Sequence, residues 1–466
     1  MPSSHTRPMP KFFEQLLAAL WNWVRARKHR SAKDAADAFT VGFCVVEGDV
    51  TKARITVSQS RRATHTAVIG RTGSGKSFWI KHCAAQDAAA DRGGFAIDFH
   101  DDLTPFLLST IAERERVTSE ELHERLIVLS PSDPEMSVGF NPLEGLATDF
   151  VRSTEFAEIL QRRYNLEFGA RTEELLRNSI VVLSANNLTL LELSPLLSDD
   201  QFRAACLERT PNAEVRDYFE SRYGKASEPM KATLREPVLN KTSAFTADPR
   251  FRHIVGQAHS TFSMKDAMDR QCWIIAHLPK GELGGQALTF ASLLFTVFKN
   301  AVFTREKRTF FPVYLDEFQN LISQSTDVET LLSEARKFGV GIVAANQFLD
   351  QYPPSMRAAL LSVGNHVSFQ LSGADAATIS QMLDGGKGLA EQLKNLPPRH
   401  FIVKSGSDHW VEGCVPHVEE PRARYRDLLN RSRLVYARPR AEIEREIAAR
   451  RESLKGNAKE ALHDWD

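Results

Sequence analysis

Gly70-Arg71-Thr72-Gly73-Ser74-Gly75-Lys76-Ser77 is the segment of this 466-residue chain whose residue types and spacing most directly specify chemistry. Three glycines let the backbone curl with its N–H groups turned inward at the start of a helix, which makes a concave anion site. In that arrangement Lys76 reaches the β- and γ-phosphates of a nucleotide and Ser77 holds Mg2+. The preceding His65-Thr66-Ala67-Val68-Ile69 reads as a buried strand, and Phe78-Trp79-Ile80-Lys81-His82 is compatible with a helix. The loop therefore has the strand-to-helix setting it needs, and the expected cofactors are ATP and Mg2+.

Val313-Tyr314-Leu315-Asp316-Glu317 is an apolar run that ends in two carboxylates, which need a reason to stand there. Beside a phosphate loop, Asp316 would hold Mg2+ through its water shell and Glu317 would polarise the water that attacks phosphorus. An acid pair of this kind favours an ATP hydrolase over a GTPase switch. Gln347 follows the run Gly341 to Ala345, at the edge where ligands bind in open α/β sheets, and could contact both the γ-phosphate and the attacking water. Arg336 precedes the same run. Spacing alone leaves it evenly balanced between an arginine finger for a neighbouring subunit's ATP and a cation at a helix C-terminus. Asp98-Phe99-His100-Asp101-Asp102 ends another apolar run, and with a single histidine it reads as a turn at the edge of the site rather than a metal centre.

The elements that must position these residues are compact apolar runs separated by polar helical stretches. Gly94 to Asp98, Leu126 to Leu129, Cys272 to Ala276, Phe311 to Asp316, Gly341 to Ala345, Val367 to Leu371 and Phe401 to Val403 are continuous rather than alternating in apolarity. That pattern means strands buried on both faces and a mainly parallel sheet in an α/β fold. Two β-rich runs, Thr40 to Val46 and Ala53 to Val57, flank turn material at Gly48-Asp49. Between 146 and 255 strand signal is scarce, and a run of that length reads as a helical module inserted into the core. The expected organisation is an amphipathic helix and linker over 1–38, a discontinuous core over 39–145 and 256–420, a helical insertion over 146–255, and an exposed, charged helical tail over 421–466 that packs on a neighbour or partner.

Composition narrows the setting. Lys plus Arg and Asp plus Glu both number 59, so any nucleic-acid surface must be local. Arg61-Arg62, Arg162-Arg163 and Arg305-Glu306-Lys307-Arg308 are candidate patches, read first as solvated surface. Five cysteines at long spacings, with no CxxC, fit a reducing cytoplasm. No stretch is expected to be long and apolar enough to span a bilayer. Residues 12–30 combine an apolar helical face, Phe13, Leu16, Leu17, Leu20 and Val24, with a basic exit. They read either as a peripheral anchor at the inner membrane, with Trp21 and Trp23 at the headgroups, or as a helix docked on protein.

With these motifs placed, the chain resembles the type IV secretion coupling proteins of the FtsK/HerA superfamily, hexameric motor ATPases that feed DNA into conjugative channels. The resemblance runs through most of residues 55–420. It rests on Gly70 to Ser77, Asp98 to Leu103, Gly139-Phe140-Asn141-Pro142-Leu143, Leu315-Asp316-Glu317-Phe318-Gln319-Asn320, and Ala335 to Gly341 followed by Ala345-Asn346-Gln347. It implies a RecA-like P-loop ATPase with an inserted all-α domain, Arg336 as the finger acting in trans, and Gln347 as the sensor. It further implies a homo-hexameric ring, DNA gripped without base reading in the pore, and a relaxase or secretion-channel protein met through the insertion and tail. Two departures stand out: membrane-bound members carry N-terminal transmembrane helices where this chain shows one short amphipathic helix, and Phe99 and Asp101 stand where many relatives have Pro and Gly. The competing readings are a nucleotide-gated adaptor that captures a relaxase or effector, and a HerA-like motor for DNA processing or phage defence whose nuclease is a separate subunit.

Overall fold

The computed structural model describes residues 38–145, 148–164, 169–322 and 328–463. Residues 12–30 and the side chains of Arg162-Arg163 lie outside what is described. In chain order the strands are β1 (Ala38–Val46), β2 (Asp49–Ser58), β3 (Thr66–Ile69), β4 (Gly94–Asp98), β5 (Leu126–Leu129), β6 (Met136–Val138), β7 (Trp273–His277), β8 (Phe311–Leu315), β9 (Val340–Asn346), β10 (Asn365–Ser368), β11 (His400–Ser405), β12 (Val411–Cys414) and β13 (Ala437–Pro439).

An 11-stranded sheet takes the order β2-β1-β12-β11-β10-β3-β9-β8-β4-β7-β5. From β10 to β5 every pairing is parallel, whereas β2, β1, β12, β11 and β10 pair antiparallel. The parallel half holds all the continuous apolar runs but Phe401 to Val403, which lies in β11 and pairs antiparallel on both sides, and β4, β8 and β9 are buried along their whole length. Successive side chains in a strand face opposite ways. Phe95, Ile97, Val313 and Leu315 accordingly enter one core, while Ala96 and Tyr314 enter the other.

The described part of the 146–255 region is helical, and its apolar residues are continuous with those of the sheet: Phe156, Leu175, Phe219 and Phe251 belong to the same core as Phe95 and Ile97. Helix Gln286–Thr304 joins them. Phe298 lies 4.8 Å from Phe95 on the sheet side, and Phe290 lies 5.7 Å from Phe251 on the insertion side. Covered on both sides, it is apolar nearly all round. Contrary to the expectation for this chain, the helix is long and apolar enough by composition to cross a membrane, but 72% of its apolar window is buried inside the fold.

Two further expectations are corrected. The tail is docked on this chain's own body: Leu428 and Tyr436 are buried, Ser432 Oγ donates to the Leu126 carbonyl at 2.6 Å, and β13 pairs antiparallel with β6. Helix Arg440–His463 then seats Ile443 and Ile447 against Leu191 and pairs Arg450 with the fully buried Glu192 at 3.1 Å. Its narrow apolar stripe is supplemented by arginine pairs, which in sequence look like a solvated face. The basic patches also change character. Arg62 and Arg305 are buried, paired with Asp87 at 2.6 Å and Asp269 at 3.3 Å, so neither offers surface charge.

Candidate active site

β3 delivers the chain to the phosphate loop between its neighbours β9 and β10: Gly70 N–H donates to the Asn346 carbonyl and Arg71 N–H to the Gln370 carbonyl, at 3.3 and 2.9 Å. Gly73 and Gly75 adopt φ of +78° and +118°, conformations that side chains resist. At Gly75 a Cβ would also meet the Arg399 Cα at 2.9 Å. Gly75→Ala is therefore expected to weaken nucleotide binding about tenfold or more, from positive-φ strain and the clash together, while far-UV circular dichroism stays unchanged. A calorimetric titration with ADP and Mg2+ checks this.

Helix Lys76–Ala89 begins at the loop. Lys76 Nζ donates to the carbonyls of Gly70 and Arg71 at 2.6 and 3.2 Å, so its ammonium lies along the mouth of the loop. Burial pushes Lys76 down, opposed by the charges of Asp316 and Glu317. Ser77 Oγ donates to Asp316 Oδ2 at 3.3 Å. Burial pushes the Asp316 carboxyl up, with Lys76 opposing it. A half-buried carboxylate beside a serine hydroxyl is a donor set suited to a hard divalent cation. The buried Ser74 hydroxyl has no partner within the loop. These residues fit a magnesium nucleotide: Lys76 and the loop N–H groups would hold its phosphates, and Ser77 with Asp316 its metal.

Glu317 follows Asp316 at φ +55°, a strained conformation for a non-glycine residue. Burial pushes its carboxyl up, but Lys280 and Asn320 more than offset this and hold it below its ordinary value. Lys280 Nζ stands 3.0 Å and Asn320 Nδ2 2.8 Å from Glu317 Oε2. Gln347 bridges the loop and the acid, accepting from Thr72 Oγ1 at 3.2 Å and donating to Glu317 Oε1 at 3.4 Å. The fold thus brings Gly70, Arg71, Thr72, Gly73, Ser74, Gly75, Lys76, Ser77, Asp316, Glu317 and Gln347 to one edge of the sheet. Arg336 is not among them. It is exposed on the 3-10 turn Ala335–Phe338, at the start of β9, whose seven residues span roughly 20 Å before Gln347.

The Asp98 turn has a local job: its buried carboxylate accepts from the backbone N–H groups of His100 at 3.0 Å and Thr104 at 2.8 Å. It thereby aims His100 Nε2 at Glu317 Oε1, 3.3 Å away. Lys280, Asn320 and His100 as partners of Glu317 escaped the sequence reading. The available signal was position, since Lys280 and His100 each follow the C-terminal end of a parallel strand, where ligand sites gather.

No protein-family model matches the chain, and no curated protein matches it in sequence. Solved structures do. The unbound bacterial conjugative coupling protein TrwBdeltaN70 aligns with a TM-score of 0.58 at 15% identity, covering 84% of this chain and 94% of that one. TrwB in complex with the non-hydrolysable ATP analogue ADPNP gives 0.58 at 15%, covering 85% and 95%. VirB4 of Thermoanaerobacter pseudethanolicus gives 0.54 at 13%, covering 82% and 97%. Fold and site together define a RecA-like P-loop NTPase architecture with a mainly parallel sheet. Within that class, the chain shares its fold with the conjugative coupling protein TrwB and with VirB4.

Proposed function

We propose that this protein is an ATP-driven motor that assembles into a ring, most readily a hexamer, and translocates DNA in the manner of a coupling protein serving a conjugative type IV secretion channel. The observation that carries this reading is the division of the catalytic set. Lys76, Ser77, Asp316, Glu317 and Gln347 converge at one edge of the sheet, and exposed Arg336 stands at the opposite end of β9 from Gln347. A site whose cation must come from a neighbour works only in an assembly. That TrwB is described in complex with an ATP analogue and with ADP and Mg2+ supports ATP and Mg2+ as the cofactors here.

In this mechanism Lys76 and the loop N–H groups orient the phosphates and compensate charge as it builds on the γ-phosphoryl group. Mg2+, when bound, would offset negative charge on the phosphates. Ser77 and Asp316 position it, Glu317 polarises the attacking water, Gln347 reads the terminal phosphate, and Arg336 of the adjacent subunit completes the cation set. DNA is held in the pore through its phosphates, without base reading. The docked tail and the helical insertion form one surface available to a relaxase or channel protein.

The test is steady-state ATP hydrolysis across a protein concentration series, with and without single- and double-stranded DNA. Turnover is expected to rise with concentration and again with DNA, and Lys76→Ala to lower it by about 10² or more. Hydrolysis that ignores both DNA forms in an assembled ring would replace the motor with a nucleotide-gated adaptor.

A further inference from the structure

One oxygen of the Glu317 carboxylate is fully occupied by donors of this chain. A carboxylate presents about four lone-pair sites on its two oxygens. Lys280 Nζ and Asn320 Nδ2 meet Oε2 at 3.0 and 2.8 Å, while His100 Nε2 and Gln347 Nε2 stand 3.3 and 3.4 Å from Oε1. Oε2 therefore has both its sites taken by hydrogen bonds, while Oε1 accepts one from Gln347 and has His100 beside it as an ion-pair contact. Oε2 can polarise a water only when one of its two donors leaves.

The neighbours of Glu317 differ in their freedom to move. Asn320 belongs to the same turn, its N–H donating to the Glu317 carbonyl at 2.9 Å, and moves with the acid. His100 is set by the turn that Asp98 organises, and Gln347 is also tied to Thr72. Lys280 combines a fixed base with a free head. Its backbone N–H is bonded to the Phe99 carbonyl at 3.0 Å, while its ammonium sits on a flexible stem in a side chain that is 30% exposed. It also carries a full charge that a second anion can compete for.

We propose that Lys280 alternates between two anionic partners, the Glu317 carboxylate seen here and the terminal phosphate of a bound nucleoside triphosphate, so that a triphosphate itself releases the base. The ammonium changes partner without any bond or proton being transferred. A diphosphate leaves Lys280 on Glu317, which makes the lysine a reader of the third phosphate and keeps the acid idle when there is nothing to hydrolyse. This inference rests on the nucleotide reading above.

The test is binding rather than turnover. Calorimetry with ADPNP and with ADP, each with Mg2+, gives a triphosphate preference for wild type, Lys280→Met, Glu317→Gln and the double variant. Lys280→Met is expected to lower that preference about fivefold to tenfold. Glu317→Gln, which removes the competing anion, is expected to raise it by a similar factor, and that gain should vanish in the Lys280→Met background. An unchanged preference in Lys280→Met overturns the inference, as does an equal gain in both backgrounds, which would mean that Glu317 merely repels phosphate. Lys280→Gln serves the same comparison if the methionine variant does not fold. Wild type that binds neither nucleotide removes the nucleotide reading and this inference with it, whereas ADP binding with an unmoved preference removes the inference alone.

Discussion

Arg336→Ala is expected to lower steady-state ATP hydrolysis by a factor on the order of 10³ or more, the effect of removing an arginine finger from phosphoryl transfer. Nucleotide affinity measured on dilute protein should barely change, because Arg336 stands at the far end of β9 from Gln347 and the phosphate loop. Mixing supplies the decisive measurement. Arg336→Ala and Lys76→Ala subunits are each inactive alone, yet in a head-to-tail ring about a quarter of randomly formed interfaces would pair an intact loop with an intact arginine. Activity should therefore reappear on mixing. A finger acting in cis would regain nothing, and a purely structural arginine would show its loss in the unfolding midpoint instead. His65 lies buried near this turn, its Nδ1 accepting from Ile342 N–H at 3.1 Å. Burial, with the Arg336 charge adding to it, pushes the imidazole down to about 4, so His65 stays neutral at ordinary pH and does not compete with the arginine for an anion.

The second large effect concerns stability. Asp87, fully buried on the helix that starts at Lys76, accepts from both terminal nitrogens of Arg62, at 2.8 and 2.6 Å, and from Tyr314 Oη at 2.5 Å. The guanidinium stacks 3.5 Å from the Phe39 ring centroid. Burial works against the Arg62 charge, but Asp87 more than restores it. Asp87→Leu would strand that cation and is expected to cost about 3–5 kcal/mol in urea unfolding, a large share of an ordinary folding free energy. The pair Arg62→Met with Asp87→Leu should recover most of the loss, since an apolar pair of similar volume carries no desolvation penalty. Tyr314 lies two residues before Asp316, so the same network fixes the phosphate-loop helix against the strand that carries the acids. Loss of Mg2+-dependent nucleotide binding should accompany the single variant.

How much of this was legible beforehand followed from how local each signal is. The parallel strands were readable because burial on both faces demands unbroken apolar runs, and β4, β5, β7, β8 and β9 fall where those runs fall. The loop and the acid pair were readable because their residues are contiguous. Arg62 was not, since a buried arginine and a surface one share a sequence signature until Asp87, twenty-five positions on, is brought beside it. The tail was misread for the same reason: Arg431, Arg438, Arg440 and Arg450 resemble a solvated run, yet Arg450 closes on Glu192 and Arg440 donates to the Pro131 carbonyl at 2.8 Å.

By itself the sequence determined the elements whose chemistry is written in adjacent residues: a loop shaped by glycines, a lysine and serine at a helix start, two acids at a strand end, and a sheet demanded by apolar runs. Only the tertiary structure decided the order in which those strands lie, the shared core of sheet and insertion around Gln286–Thr304, and the ring of side chains that Lys280, His100, Asn320 and Gln347 form about Glu317. The physical reason is range. Backbone conformation and apolar patterning are set over a few residues, whereas a carboxylate's partners are set by whichever side chains the crossovers carry to the same edge of the sheet.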